Sequence, residues 1–408
     1  MKTLSPSKKR LALLSLIPAL LVGGLIISWV FKPAPFQIPP RPPLPSPNGF
    51  DAYVKATQAI VPANPPVDPI NDAKRPTPQQ AATQYSPQRR RAWIAANATT
   101  WKLMDEAKTL PCYSPDIRGL LPTPLYWGQF RELARCQSIR VKEAKTSGKW
   151  GEAANLGLDT IEMGLNTERG SVLIGSLVSI AIEAIGQRSI EDVPSHLSAT
   201  EAKTTARRLE TMLDKAQPFS EVLTEEKWSM AASIGRTGGG SGAGIMGKIG
   251  SLYFSRAMAE TVAMMDSLIA EANKPAGAQT QVAAPTGLTS TLASMNFPVM
   301  KRSFFNDERR KSAERLLLLQ LALRAYRAER GAYPTQLSQL APTYLKSVPV
   351  DPFGKGEPLH YAVKGDSYTL WSIGPDGIDD KGISIKPKPP QKRPIASINS
   401  KGDIVVHP

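Results

Sequence analysis

The stretch at residues 306–334, NDERRKSAERLLLLQLALRAYRAERGAYP, determines how the C-terminal part of the chain folds. Its apolar residues recur every three or four positions, which predicts one long amphipathic α-helix. The apolar stripe and its margins consist of Leu316, Leu317, Leu318, Leu319, Leu321, Leu323, Ala325 and Tyr326. Asp307 and Glu308 suit the first turn, because carboxylates stabilise the positive end of a helix dipole. Gly331 suits the C-terminal cap, and Pro334 prevents the helix from continuing.

A helix with such a wide apolar face needs a second layer to cover it, and the following residues supply a sheet. PLHYAV (358–363) and SYTLWSI (367–373) alternate apolar and polar residues, and KGD (364–366) joins them as a hairpin turn. GISIK (382–386) and DIVVH (403–407) are weaker strand candidates. The sequence therefore predicts a small C-terminal module made of one helix and an antiparallel sheet.

The order of motifs in this module resembles the C-terminal domain of the major pseudopilin of type II secretion systems. The matching pieces are the long helix ending at Gly331, Tyr333–Pro334–Thr335, Tyr344–Leu345, Pro349, Asp351–Pro352–Phe353–Gly354, the tyrosine-rich hairpin and Ser372-x-Gly374–Pro375–Asp376–Gly377. The likeness covers roughly residues 311–382. A pseudopilin carries a processing site with a glutamate on its membrane helix, and this chain has none there. The resemblance therefore implies the fold of the module but not its processing into a filament.

The stretch SIGPDGIDDKGIS, residues 372–384, places three aspartates in a run rich in glycine and proline. In the pseudopilin family this loop binds calcium, so the resemblance implies Asp376, Asp379 and Asp380 as ligands and Ca²⁺ as the cofactor. Calcium suits such a loop, because it takes six to eight oxygen ligands in irregular geometry. The alternative is a plain turn, in which Lys381 adds a positive charge beside the carboxylates.

The N-terminal residues 11–31, LALLSLIPALLVGGLIISWVF, carry no charge and are long enough to cross a hydrocarbon core of about 30 Å as a helix. The basic run Lys8–Arg10 precedes them, so the positive-inside rule places residues 1–10 in the cytoplasm. A cleaved signal peptide is the alternative, but residues 28–37, SWVFKPAPFQ, make a poor cleavage site. The sequence predicts a single-pass protein of the cell (inner) membrane whose bulk is extracytoplasmic.

Composition divides the rest of the chain. Proline clusters and the residues between them predict a semi-rigid spacer, helical periodicity predicts a middle domain, and a run rich in Ala, Gly, Pro and Gln predicts a linker. The predicted units are a Pro-rich spacer at 32–79, an α-helical domain at 80–273, a linker at 274–298, the pseudopilin-like module at 299–385 and a basic Pro-rich tail at 386–408. The fold class is therefore α+β, with a transmembrane helix, a mostly α-helical middle domain and a small helix-plus-sheet module.

The middle domain contains several local signals of helices. Residues 134–164 weakly resemble a hairpin of the tetratricopeptide type, with a turn at TSGKW. Residues 170–190 are apolar on nearly every face, and Glu183 favours a buried core helix over a second membrane span. Ser198 and Glu201 form a capping-box pattern. In residues 236–251, RTGGGSGAGIMGKIGS, the phosphate-loop spacing occurs without the required hydroxyl and after a helix, which favours a simple interruption between helices.

The two cysteines, Cys112 and Cys136, both fall on the predicted extracytoplasmic side. An oxidising compartment would allow them to pair, which predicts a disulfide. The alternative is two buried, unpaired thiols. Two thiols alone do not make a structural zinc site.

The formal net charge of +15 suggests acidic partners, such as phospholipid headgroups, anionic cell-wall polymer or nucleic acid. The alternative is a basic surface that only keeps the protein soluble, which the scattered charge favours, and no specific nucleic-acid site is indicated. The three histidines, His196, His360 and His407, lie far apart, and the chain has no G-x-S-x-G or H-E-x-x-H motif. We therefore expect no enzyme. The sequence favours a membrane-anchored scaffold with protein partners in the cell envelope. An accessory component of a secretion or pilus-like assembly and an anchored envelope hydrolase are the alternatives.

Overall fold

The computed structural model of the protein describes residues 37–61, 86–119, 124–238, 245–274, 291–387 and 394–408. The predicted membrane span lies outside these ranges. The described helices are α1 (Gly49–Gln58), α2 (Pro87–Ala96), α3 (Ala98–Thr109), α4 (Tyr126–Thr146), α5 (Trp150–Glu168), α6 (Leu173–Ser189), α7 (Ala199–Asp214), α8 (Phe219–Gly238), α9 (Ile245–Ala272) and α10 (Thr291–Arg330). The described strands are β1 (His360–Lys364), β2 (Ser367–Ser372) and β3 (Ile404–Val406). This mostly helical structure with one small antiparallel sheet confirms the α+β class.

The sheet has the order β1-β2-β3, and both strand pairs are antiparallel. The predicted hairpin is confirmed, with Lys364 paired to Ser367 and Gly365 at a φ of 56° in the turn. β3 lies within the predicted tail, residues 386–408, so this segment is not only a tail. Val406 pairs with Leu370. Ile404 and Val406, which alternate along DIVVH, pack against the hydrophobic core.

The helix predicted at 306–334 is longer than expected at its N-terminal end. α10 begins at Thr291, so the last part of the predicted linker 274–298 is helical and contains Pro298 within the helix. Packing stabilises this extension, since Met300 belongs to a small apolar cluster with Phe219 and Met265. Asp307 is therefore not in the first turn and lies buried in the middle of the helix. The C-terminal end is as predicted: the helix ends at Arg330.

One hydrophobic core joins the two parts predicted as the separate units 80–273 and 299–385. It includes residues of α5, α7, α10 and β2 that are almost completely buried: Leu158, Ile161, Leu209, Leu319, Leu323 and Leu370. Burying one such side chain contributes about 1.5–3 kcal/mol. The broad apolar face of α10 is therefore covered by helices as well as by the sheet, because it is too wide for three short strands alone.

The predicted Pro-rich spacer, residues 32–79, contains part of the folded domain. α1 lies between its two proline clusters, and the Asn48 side chain caps it by accepting a hydrogen bond from the backbone of Phe50. Phe50 and Tyr53 are buried because they lie three positions apart, on one face of α1. The Phe50 ring lies edge-on, at 5.2–5.8 Å between centroids, against three rings of α4: Tyr126, Trp127 and Phe130.

The helices of the middle domain follow the sequence closely. α4 and α5 form the predicted hairpin, and the capping box of Ser198 and Glu201 is present at the start of α7. Among the described residues, the stretch Leu173–His196 is long and apolar enough to cross a membrane, but 56% of its most apolar window is buried inside the protein. α6, which makes up most of this stretch, is thus the core helix that the sequence favoured.

Candidate functional site

A cluster of buried charges lies where α5, α6 and α10 meet. Its members are Glu168, Glu183, Asp307, Arg310 and Glu314, and all five are buried. Glu168 ends α5, Glu183 lies in the second half of α6, and the other three follow one another at spacings of three and four residues on α10. Residues at this spacing share one face of a helix, which directs all three α10 side chains toward α5 and α6.

Arg310 is at the centre of this cluster. Its Nη1 donates a hydrogen bond to Glu168 Oε2 at 2.6 Å, and its Nη2 donates to Asp307 Oδ1 at 2.6 Å. Glu183 Oε1 lies 3.4 Å from the same Nη1. The second oxygen of each main partner is also engaged, because Ser176 donates to Glu168 and Lys311 pairs with Asp307, at 2.5 and 2.6 Å. The guanidinium group therefore ties three helices together.

Glu183 and Glu314 are two buried carboxyl groups whose ionisation is disfavoured. Burial raises the pKa of Glu183 well above its ordinary value, although Arg310 opposes the shift. Burial also raises the pKa of Glu314, and Arg310 again opposes the shift. Among the described residues, Glu183 Oε2 and Glu314 Oε1 have no hydrogen-bond partner. Burial without a partner favours the neutral form of a carboxyl group.

The chemistry open to this cluster is limited by its enclosure. Glu308, which lies between Asp307 and Arg310 on α10, also has its pKa raised to about 7, mainly by burial and then by the neighbouring Asp307. Shifted carboxyl groups are typical of acid–base catalysts, but they also occur in structural ion networks. A pocket of about 120 Å³ lies elsewhere, against Glu191, Arg324 and Tyr368. The arrangement is thus suited to joining helices rather than to receiving a substrate.

Two of the three aspartates predicted as calcium ligands accept hydrogen bonds from protein donors. Asp379 accepts hydrogen bonds from Trp371 Nε1 and from the backbone and side chain of Lys381, at 2.5–2.9 Å. Asp376 accepts from the backbone of Ile378 and Gly402, both at 3.3 Å. Asp380 donates its backbone N–H to the Asp403 carboxylate. The carboxylates of Asp376 and Asp379 therefore already have partners within the protein.

Asp403 is the functional residue of this loop that sequence reasoning missed. It is completely buried, and its carboxylate accepts the backbone N–H groups of Asp380 and Gly382 at 3.2 and 2.7 Å. Its position as the first residue of DIVVH, directly before β3, was the available signal. Over the part of the chain that the structure describes, no group of three or more His, Cys, Asp or Glu side chains is arranged to hold a metal ion. The hydrogen bonds of Asp376 and Asp379 are those of a turn, and calcium binding by this loop stays a prediction.

The ionisation of Asp379 agrees with this assignment. Although burial alone would raise its pKa, the hydrogen bonds from Lys381 and Trp371 lower the pKa to about 2. His360 stacks on the Trp371 ring at 5.5 Å, with its Nδ1 3.7 Å from Asp379 Oδ2. The pair of rings and the carboxylate close the loop against the sheet.

The predicted disulfide is not present, because Cys112 and Cys136 are both free. Both thiols are buried in the aromatic cluster around Phe50 and Trp127. Burial raises the pKa of each thiol to about 12. They behave as small apolar side chains, which was the alternative considered from the sequence.

Comparisons of the chain with protein-family models, with curated proteins and with solved structures gave no match. The roles assigned to the residues above therefore depend on their contacts in this chain.

Proposed function

We propose that the protein is a membrane-anchored extracytoplasmic scaffold or interaction protein with a pseudopilin-like C-terminal module and no catalytic role. The observation that supports this proposal is that the buried charged groups interact with one another across helices. Arg310 on α10 is hydrogen-bonded to Glu168 on α5 and lies close to Glu183 on α6. These buried charged groups thus connect the pseudopilin-like module to the helical domain.

The shared core supports the same proposal. A body in which helices and sheet share one core moves as a unit, and this rigidity lets it present fixed surfaces to partners. The uncharged segment at 11–31 supplies the anchor, with the bulk placed outside by the basic residues before it. The expected partners are the membrane and proteins of the cell envelope.

The coverage of α10 bears on the alternative of a pilus-like assembly. Arg324 Nε donates to the Leu197 carbonyl at 2.7 Å, and Leu319 and Leu323 are buried between α10 and its neighbours. The part of α10 that carries Leu319 and Leu323 is therefore already covered within the protein, which argues against its use for packing against further copies. The hydrolase alternative would need a pocket at the shifted carboxyl groups, and these groups are enclosed.

A protease experiment on spheroplasts tests the anchor and its orientation. External protease should digest the bulk and leave a small stub in the membrane fraction. Protection of the bulk, or a soluble mature protein that starts near residue 33, would contradict the proposal. Spheroplasts opened by freeze–thaw serve as the control, because protease then reaches both sides.

Site-specific photocrosslinking in the same cells tests the scaffold role. The photoreactive residue replaces the exposed side chains of Leu125 and Ile378, which are 85% and 60% exposed. We expect a protein adduct of constant mass from at least one position, and its loss when residues 11–31 are replaced by a cleavable signal peptide. The absence of protein adducts from both positions would argue against a scaffold.

A further inference from the structure

The segment that follows the predicted membrane span is fixed to the folded domain. Arg118 Nη1 donates to the Pro39 carbonyl at 2.7 Å. Arg118 also forms two parallel hydrogen bonds with the Glu225 carboxylate of α8, both at 3.0 Å. Such paired bonds between guanidinium and carboxylate are among the strongest and most directional in proteins.

Arg41 fastens the same segment at a second point. Its side chain donates to the carbonyl groups of Ser114 and Gly170 and forms an ion pair with Glu225 at 3.4 Å. Its guanidinium carbon lies 5.0 Å from the centroid of the Tyr113 ring. Residues 38–44 thus form a strap, which is held to the folded domain by the side chain of its own Arg41 and by that of Arg118, both largely buried.

The outer side of the strap is apolar and exposed. Ile38 and Leu44 are 37% and 45% exposed, and both are among the large apolar side chains that the described part of the chain leaves open. The prolines at positions 39, 40, 42 and 43 are exposed as well. Apolar side chains above a net positive layer suit the boundary between headgroups and acyl chains.

The chain between the span and the strap is short. Residues 32–37 alone separate Phe31 from Ile38, and two of them are prolines. At about 3.1 Å per residue in a polyproline conformation, six residues reach roughly 19 Å. The headgroup region takes up about 5–8 Å of this distance. The strap is therefore held close to the membrane surface whatever direction the short connection takes.

We propose that the strap, residues 38–44, lies against the headgroup layer of the membrane that the anchor crosses, and that its occupant is an anionic phospholipid surface. The folded domain then sits on the bilayer, whereas a free spacer at 32–79 would hold it away. The proposal rests on the anchor of the proposed function, and the net charge of +15 favours an anionic surface.

The test uses the full chain in vesicles of phosphatidylcholine and phosphatidylglycerol at 3:1, with some lipids carrying a nitroxide on the headgroup. A fluorophore is attached to Leu44→Cys or, as the matched control, to Asp366→Cys. Asp366 is 90% exposed and pairs with Arg327. Arg327 lies 17 positions beyond Arg310 on α10, which is about 25 Å along the helix. Arg310 itself contacts Glu168, near the strap.

We expect the nitroxide lipids to quench the Leu44→Cys label severalfold more strongly than the Asp366→Cys label. The unsubstituted chain, whose two native thiols are buried, gives the labelling background. Equal quenching at the two positions would overturn the proposal, as would a Leu44→Cys label shielded from aqueous iodide but not quenched by the lipid nitroxide, which would indicate a protein occupant.

Alkaline carbonate extraction of the same vesicles separates the two ways of failing. A chain that resists extraction while its labels are equally quenched has an anchor but no seated strap. A chain that carbonate releases has no anchor, and it would contradict the proposed function as well.

Discussion

Arg310 lies in the interior and donates hydrogen bonds to two buried carboxyl groups, Glu168 on α5 and Asp307 on its own helix. Buried ion pairs add little to stability compared with well-packed apolar residues, but removal of one partner leaves an isolated charge in a medium that solvates it poorly. The whole network therefore adds little to the free energy of unfolding, whereas removal of one member lowers it strongly.

Arg310→Met should destabilise the protein by about 3–5 kcal/mol, because Glu168 and Asp307 then remain buried without their main partner. Urea unfolding followed by circular dichroism measures the change. Arg302→Met, an exposed arginine of the same helix, is the matched control and should change the stability by less than about 0.5 kcal/mol. Similar costs for the two variants would show that the network does not hold α10.

Glu308 predicts a pH dependence of stability. Its pKa is about 7 in the folded protein and near 4.5 when unfolded, so the unfolded state releases its proton first. The contribution is fully present below about pH 4.5 and is lost as the pH rises to about 7. Between these pH values the free energy of unfolding should fall by about 1–2 kcal/mol through Glu308, allowing for the partial exposure of its side chain. Glu308→Gln should remove this part of the pH dependence. Unfolding by urea at several pH values measures it. A slope unchanged from that of the exposed-site control Glu106→Gln would contradict the assignment.

At the scale of elements, α10 connects the helical domain to the sheet. Leu323→Ala should cost about 2–5 kcal/mol, because Leu323 is completely buried in the shared core. The decisive observation is cooperativity: helix content and the fluorescence of a label at Asp366→Cys, in the turn between β1 and β2, should change at the same urea concentration. Met295→Ala, at a residue of α10 that is 70% exposed, is the control. Two separate transitions would indicate independent domains.

The aspartate loop is the other element with a direct test. Because the carboxylates of Asp376 and Asp379 already accept protein hydrogen bonds, we expect the same thermal midpoint for the full chain in millimolar calcium, magnesium or chelator. If calcium bound at an extracellular-type affinity of about 0.1–1 mM, it would stabilise the protein by roughly 1.4–2.7 kcal/mol at ten to a hundred times that concentration. An increase with calcium alone would show that the loop rearranges around a metal ion.

Local signals in the sequence predicted local structure well. The hairpin turn at Gly365 and the capping box at Ser198 follow from residue types at fixed spacings, and both are present. The start of α10 was predicted too late, because Pro298 and the composition before it indicated a linker. Packing of Met300 in an apolar cluster outweighs the cost of a proline within the helix. The cluster around Arg310 was not predictable, since Glu168 and Glu183 lie more than a hundred positions away from it in the sequence. Only Glu183, a charge in an apolar run, hinted at it.

At the scale of the whole molecule, the folded domain extends further toward the N-terminus than the composition indicates. A chain that starts at residue 80 lacks α1 and should not fold natively, because Phe50 and Tyr53 fill the aromatic cluster. A chain that starts at residue 37 should keep a cooperative thermal transition. Circular dichroism of the two proteins decides the point. A native-like transition in the shorter chain would instead support the prediction that residues 32–79 are a spacer outside the folded domain.

The shared core also has a consequence for biosynthesis. Leu209 of α7 is covered by α10, whose Leu323 is synthesised 114 positions later. At about 5–20 residues per second, the nascent chain waits roughly 6–23 s with this apolar surface uncovered. Pairing of β3 with β2 must wait longer still. Emerging chains therefore pass through an interval in which the apolar surfaces of α5 and α7 are open to aggregation until α10 and the last strand arrive.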